Sequence, residues 1–142
     1  MKQPALTVTD KEIFYTALML GSERLIGVEY DFPIDEGALM QELGTVKRDL
    51  NKRKLLRENS KGEITLSDDL TAVAVFCSEP EECIVVEEDM LQGTIYKVGV
   101  SSLLLEPSGD DGYDAYIFTD GNSLDEYITG RIQTDKESES IV

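Results

Sequence analysis

The spacing of apolar residues changes along this chain, from a helical period in its first part to the period of a β-strand later. One apolar stripe advances by four, three and four positions, so its members fall within about 40° of one another on a helix. They are Leu39, Leu43, Val46 and Leu50. In residues 93–100, apolar and polar positions instead alternate with the period of two of a strand. Helices followed by a run of strands predict an α+β fold rather than an α/β fold.

Capping signals delimit the first two predicted helices. Thr9 and Glu12 have the spacing of a capping box, in which each side chain accepts a hydrogen bond from the other residue's backbone amide. Asp35 is the N-cap expected for the second helix. Gly44 lies inside that helix, where glycine costs about 1 kcal/mol relative to alanine. We therefore expect a close contact with another helix, or a kink, at this glycine.

The rest of the pattern predicts a small winged-helix-like hairpin, a third helix, a sheet of three or four antiparallel strands and a C-terminal helix. The hairpin turns at residues 59–62. The loop at residues 107–112 is polar, and we expect it to be mobile. We predict a single domain over residues 1–132. Residues 133–142 lack apolar periodicity, so we expect a disordered acidic tail there.

The chain lacks the residues of the common catalytic and metal sites. It contains no histidine, which excludes Ser-His and Cys-His pairs. Cys77 and Cys83 are its only cysteines, and two thiolates do not complete a tetrahedral zinc shell. We expect both to be free thiols in a reducing compartment. The sequence therefore predicts a non-catalytic protein with no metal and no cofactor.

The location expected for the chain is the cytoplasm. No segment of the sequence has the run of about 20 apolar residues that spans a bilayer. Residues 1–8 lack the apolar centre of a signal peptide. The formal net charge of −16 and the pI of about 4.2 also argue against a nucleic-acid or anionic membrane partner.

Basic residues are concentrated in one segment. Residues 47–61 contain seven basic and two acidic side chains and net +5, whereas the six basic and 27 acidic residues elsewhere net −21. One interpretation is a winged helix, whose second helix and hairpin bind DNA. Its phosphate contacts would be Lys47, Arg48, Lys52, Arg53 and Arg57. A solvated helix face, an acidic protein partner or a second copy of this chain are the other interpretations.

A second candidate surface is apolar. Leu103, Leu104 and Leu105 are consecutive, so they do not all point to the same side of a strand. Either both faces of the sheet are covered by helices, or one apolar face docks a partner helix. The side chains assigned to this docking face are Tyr96, Leu103, Leu105, Tyr113, Tyr116 and Phe118.

The order of these patterns resembles the EspG-type chaperones of type VII (ESX) secretion and their relatives in Gram-positive bacteria. The shared features are a Leu-Thr-x-x-Glu type start, a Leu-Gly helix end, a Leu-rich second helix, a small strand, and a helix that ends near proline. The matching positions are Leu6, Thr9, Glu12, Leu20, Gly21, Leu50, Leu55, Leu56, Gly62, Leu66, Leu70 and Pro80. Lys54 and Leu55 replace the Gly-Leu pair that is usual in the family.

The resemblance implies a cytosolic adaptor that holds helical-hairpin secretion substrates soluble and delivers them to the secretion machine. Family members are longer and contain two similar halves around a central sheet, and this chain corresponds to about one half. A homodimer would restore the other half by symmetry. Two alternatives stay open: a winged-helix protein that binds DNA or derives from one, with the resemblance covering residues 9–66, and an acidic immunity or inhibitor protein that covers a basic toxin site.

Overall fold

The computed structural model describes residues 3–22, 24–28, 33–109 and 112–140, the last nine of them by their backbone alone. These ranges contain four helices and seven strands, which confirms the predicted α+β class. In chain order the elements are β1 (Leu6–Thr9), α1 (Asp10–Met19), α2 (Glu36–Lys52), β2 (Leu56–Glu58), β3 (Ile64–Leu66), α3 (Asp68–Ser78), β4 (Glu82–Glu88), β5 (Leu91–Val98), β6 (Ser101–Ser108), β7 (Gly112–Phe118) and α4 (Gly121–Ser140).

The chain forms two compact units. The helical unit is Val8–Glu79, and the sheet unit is Met1–Thr7 together with Pro80–Val142. The helical unit contains α1, α2, the β2–β3 hairpin and α3, and the sheet unit contains β4 to β7 and α4. The prediction of one domain over residues 1–132 stays a prediction.

Helix α1 is capped at both ends by its own residues. At the start, the amide of Glu12 donates to Thr9 Oγ1 over 3.1 Å, and the amide of Thr9 donates to Glu12 Oε1 over 2.9 Å, which confirms the capping box. At the end, Gly21 takes a φ of +82°. The amide of Ser22 then donates to the Ala17 carbonyl over 2.8 Å. This is the Schellman arrangement, which satisfies the last carbonyls of a helix.

Helix α2 follows the predicted stripe. Asp35 Oδ2 accepts from the amide of Ala38 over 2.9 Å at the helix start. Val46 and Leu50 are buried, and the other two members of the stripe are half-buried. Because the helix presents one apolar face to the core, the side chains on its opposite face are left in solvent.

A non-glycine residue closes α2. Lys54 lies in the left-handed region, with a φ of 62°. The amide of Leu55 donates to the Leu50 carbonyl over 2.9 Å, and that of Lys54 to the Asn51 carbonyl over 3.0 Å. Lysine thus completes the Schellman turn at a position where glycine is usual. The turn directs Leu56, at the start of β2, into the core of the helical unit.

The expected close helix contact at Gly44 is wrong. A Cβ atom built on Gly44 would have no atom within 4 Å outside the local helix backbone. Helix α2 is continuous from Glu36 to Lys52 across this position. Gly44 therefore lowers the stability of the helix, and no close packing contact that only a glycine would allow compensates for this loss.

We expect Gly44→Ala to raise the free energy of unfolding by about 1 kcal/mol, since alanine restricts the unfolded chain and fits the helix without a clash. Urea unfolding followed by circular dichroism measures this change. Gly62→Ala is the matched control, because Gly62 has a φ of +80° and alanine is strained there. A loss of stability in Gly44→Ala would contradict the open space at this position.

The hairpin follows α2 directly. Strands β2 and β3 are antiparallel, with Leu56 opposite Leu66. Asn59 Oδ1 accepts from the amides of Lys61 and Glu63, over 2.9 Å each, and so confirms the predicted turn. The Ser67 side chain then caps α3 by accepting from the amide of Leu70 over 3.1 Å.

The sheet has five strands in the order β1-β7-β6-β5-β4. Strands β4 to β7 form the predicted antiparallel meander. The extra strand is β1, whose pairing with β7 joins segments far apart in sequence. Near it, the amide of Ala5 donates to the Ala115 carbonyl over 2.7 Å, and Thr7 Oγ1 donates to Asp114 Oδ1 over 3.1 Å. Four residues before a helix carry too little pattern to predict such a partner.

The predicted loop at residues 107–112 begins and ends in strand, at Pro107, Ser108 and Gly112. Pro107 pairs with Tyr113, and Ser108 with Gly112, so β6 and β7 continue into the segment expected to be a mobile loop. Residues 110 and 111 lie outside the described residues. Proline is tolerated in a strand where the ladder needs no amide donor.

Helix α4 covers one face of the sheet. Leu124 is buried in a cluster with side chains of three strands, and Tyr127 and Ile128 pack against its rim. The strand members of the cluster are Leu91, Ile95, Leu104, Tyr116 and Phe118. The backbone of α4 is helical through Ser140, where disorder was expected from residue 133. That segment contains good helix formers such as glutamine, lysine and glutamate, and its last two residues lie outside the described residues.

Candidate functional site

The predicted apolar docking face lies in the core. Tyr96 and Leu103 have no exposed surface, and Tyr113 is half-buried. The other three members, Leu105, Tyr116 and Phe118, are buried as well. This corrects the placement of these side chains on an open sheet face. A partner could reach the five buried residues only after the chain rearranged.

The reason for this burial lies partly in α4. The ring of Tyr127 lies 5.1 Å from that of Tyr116 and 5.7 Å from that of Phe118, measured between centroids. Leu103, Leu104 and Leu105 are all buried although neighbours point to opposite faces. The side chains on both faces of β6 are therefore buried at these three positions.

The basic segment forms the most distinctive surface of the helical unit. Arg48, Lys52, Lys54 and Arg57 are exposed, and we call these four residues the basic face. Arg48 lies one helical turn from Asn51 and Lys52, so these positions are neighbours on α2. Lys61 is also exposed, in the hairpin turn.

An open groove lies in this surface. It has a volume of about 460 Å³ and lies where α2 meets β2. Its lining residues are Asn51, Lys54, Leu56, Arg57 and Glu58. Two cationic side chains of the basic face, Lys54 and Arg57, thus border a concave site with an apolar side chain at its base.

The cations of the basic face carry no carboxylate partner within the described ranges. The salt bridges recorded there involve Lys11, Lys47, Arg53 and Arg131. Arg48 instead donates to the hydroxyl of Thr45 over 3.1 Å. The positive charge of the basic face is therefore not neutralised by ion pairs with the rest of the helical unit, and it stays available to an anionic surface.

Two of the five predicted phosphate contacts are used inside the fold. Lys47 Nζ lies 2.7 Å from Glu58 Oε2, and its hydrogen bond to this carboxylate raises the pKa of Lys47. Arg53 Nη1 lies 2.8 Å from Glu12 Oε2 and 2.9 Å from Glu12 Oε1. Arg48, Lys52 and Arg57 remain exposed. These three residues, and Lys54 with them, are exposed cations of the segment that have no salt bridge within the described residues.

Glu12 also positions Arg53, a role that the sequence pattern did not identify. It is 4% exposed, closes the capping box of α1 and accepts the guanidinium hydrogen bonds of Arg53, the C-cap of α2. The Lys11–Glu42 ion pair joins the same two helices. These contacts fix the end of α2 and therefore the groove. The capping box was visible in the sequence, but the pairing over 41 positions was not.

The sheet unit has a different electrostatic character. It contains fifteen acidic and four basic residues and nets −11, whereas the helical unit, with fourteen acidic and nine basic residues, nets −5. Arg131 donates to Glu106 Oε1 over 3.0 Å and to the Met90 carbonyl over 2.6 Å. Burial raises the pKa of Tyr127, which donates to the same Glu106 oxygen over 3.2 Å. This cluster fastens α4 to the sheet.

Within the described residues, neither a metal site nor a reactive thiol provides a second candidate functional site. No group of three or more cysteine, aspartate or glutamate side chains there is placed to hold a metal ion. Cys77 is buried and Cys83 is exposed, and neither forms a disulfide within the described residues. Partial desolvation of its thiol raises the pKa of the exposed Cys83, which keeps the reactive thiolate form scarce at neutral pH.

Among the described helices, none is both long and apolar enough to cross a membrane. Comparison of the chain with protein-family models, with curated proteins and with solved structures gave no match.

Proposed function

We propose that this protein is a non-catalytic, cytoplasmic protein-binding adaptor, and that its basic face binds an acidic surface of a partner protein. The observation that carries the proposal is the set of four exposed cations that have no carboxylate partner within the described residues, two of which, Lys54 and Arg57, line a groove. In a chain with a net charge of −16, such a patch opposes the charge of the surrounding surface. The basic face attracts an anionic partner, whereas the surrounding acidic surface repels it, so the partner is directed to one place.

The partner class follows from the resemblance to EspG-type chaperones. A helical secretion substrate with an acidic face fits that resemblance, and a groove beside a helix end is a suitable place for such a face. The buried strand residues leave the basic face as the better candidate contact. A homodimer is proposed because the chain corresponds to about half of the family's length. It would use the same electrostatic attraction if the acidic sheet unit of a second copy contacted the basic face.

The test compares the natural chain with a variant in which Arg48, Lys52, Lys54 and Arg57 are all replaced by glutamine. We expect about a tenfold or larger loss of partner affinity, because exposed charge pairs contribute about 0.2–1 kcal/mol each. Tagged pull-down from the native host identifies the partner, and titration of the purified partner at low and high salt measures the affinity. Binding should weaken as salt rises.

Two controls accompany this measurement. Arg24→Gln removes an exposed cation outside residues 47–61 and should leave the affinity unchanged. The double variant R48K/R57K keeps the charge and should retain most of the binding if the attraction is mainly electrostatic. Equal affinity of the glutamine variant and the natural chain would contradict the proposal.

A DNA-binding winged helix is the second candidate, favoured by one observation: the β2–β3 hairpin directly follows the exposed cations of α2. In winged helices a hairpin in that place contacts the phosphate backbone. Nucleic acid in the pull-down eluate that dissociates as salt rises, and that the glutamine variant fails to retain, would support this candidate over the adaptor.

A further inference from the structure

Strand β4 is one edge of the five-stranded sheet, and β1 is the other. Within the described part of the chain β4 has a hydrogen-bonded neighbour on one side only, which is β5. All seven of its residues pair with β5 in unbroken register, from Glu82 opposite Lys97 to Glu88 opposite Leu91. Because this register is unbroken, β4 presents a continuous row of backbone donors and acceptors to an added strand.

The centre of β4 is apolar and partly exposed. Val85 is 67% exposed on one face of the strand. Ile84 and Val86 point to the other face, where they are half-buried at the rim of the cluster beneath α4. The strand contains no proline, lysine or bulge, which are three of the devices that protect a sheet edge. An added strand would cover apolar surface on both faces.

The ends of β4 are acidic. Glu82, Glu87 and Glu88 lie in the strand, Glu81 precedes it, and Asp89 follows it; all five residues are exposed. Lys97, opposite Glu82 in the register, is the basic residue of the neighbouring strand. An apolar centre with negative charge at both ends defines which kind of strand fits.

We propose that the β4 edge binds an extended segment of a partner protein by strand addition, and that this segment is apolar at its centre with lysine or arginine at both ends. Main-chain hydrogen bonds would supply affinity, and the terminal charges would supply selectivity. The site differs from the basic face in its unit, in its sign of charge and in the chemistry of its partner. It therefore does not depend on the function proposed above.

A second copy of the chain does not fit this edge. Antiparallel pairing of two β4 strands about Val85 places Glu82 opposite Glu88 and Glu81 opposite Asp89. Parallel pairing places each acidic residue close to its own copy. Like charges across a strand pair are destabilising, so the acidic ends protect the edge from self-association and favour a basic strand.

The test uses a synthetic peptide with alternating valine and threonine at its centre and two lysines at each end, and a reference peptide with glutamate in place of lysine. At low salt we expect the lysine peptide to bind the full chain at least about tenfold more tightly, since each opposite-charge pair adds to cross-strand stability. Hydrogen exchange should show slower exchange of β4 amides in the complex.

Three variants locate the binding site. Val85→Lys should reduce affinity about tenfold or more, because it places a cation on the edge and removes apolar contact. Val85→Thr keeps a β-branched side chain and should bind nearly as the natural chain does. Val100→Lys is the matched control, since Val100 is 75% exposed in the turn between β5 and β6. Its affinity should be unchanged.

The outcomes separate clearly. Selective binding of the lysine peptide, protection of β4 and loss in Val85→Lys support the proposal. Equal binding of both peptides, unchanged exchange in β4, or full affinity in a Val85→Lys chain that has a normal unfolding transition would overturn it. Concentration-dependent dimerisation that Val85→Lys abolishes would also overturn it, because the occupant would then be a second copy.

Discussion

Replacement of Gly93 by alanine is expected to lower the free energy of unfolding by about 3 kcal/mol, at the upper end of the range for overpacking. A Cβ on Gly93 would lie 3.2 Å from Leu104 Cδ1 and 3.2 Å from the Leu105 carbonyl carbon, and closer still to the Leu105 carbonyl oxygen. Backbone atoms of β6 cannot rotate away as a flexible side chain does. Strands β5 and β6 would have to separate locally, next to the buried cluster beneath α4.

Urea unfolding and native-state hydrogen exchange together measure this effect. The loss of protection in Gly93→Ala should be concentrated in β5 and β6. Gly44→Ala introduces the same methyl group into open space and is the matched control, with the opposite expected sign. Wild-type stability in Gly93→Ala would mean that the two strands do not approach each other as closely as the structure shows.

Replacement of Glu12 by alanine is expected to lower the free energy of unfolding by about 2 kcal/mol. The substitution removes the acceptor for the Thr9 amide and both carboxylate oxygens that accept from Arg53 Nη1. The Arg53 side chain is 40% exposed, so water replaces part of the lost interaction and the effect stays below that of a fully buried ion pair.

Glu12→Gln separates the two contributions. Glutamine still completes a capping box but carries no charge for Arg53, so we expect a loss of about 1 kcal/mol. A double-mutant cycle with Arg53→Ala then measures the coupling between the two side chains. If Glu12→Ala and Glu12→Gln are equally stable, the capping hydrogen bond contributes nothing. Zero coupling in the cycle would show that the ion pair does not hold the end of α2.

The local elements of this chain were largely predictable because short-range rules govern them. A capping box needs two residues three positions apart, and Thr9 and Glu12 form it as predicted. The Asn59 turn and the Ser67 cap are equally local. The apolar stripe of α2 identifies the inner face of the helix, where Val46 and Leu50 are buried. Arg48 and Lys52 lie outside the stripe and are exposed.

The candidate site was only partly predictable, because its charges depend on distant partners. Nothing in residues 47–61 distinguishes Arg53, which binds Glu12, from Lys52, which stays unpaired. Ion pairs form between residues that the fold brings within about 4 Å. Glu12 and Arg53 are 41 positions apart in the sequence, and no spacing rule predicts an ion pair over that separation.

The sequence by itself determined the α+β class, the helix caps and the concentration of positive charge in residues 47–61. Each of these depends on composition or on interactions among neighbours in the chain. Only the tertiary structure decided that Tyr116 and Phe118 are core rather than surface, that β1 extends the sheet, and that β4 is a free edge. Burial and strand order arise from packing between segments that are far apart in the chain. The sequence of the strands alone does not specify that α4 covers them.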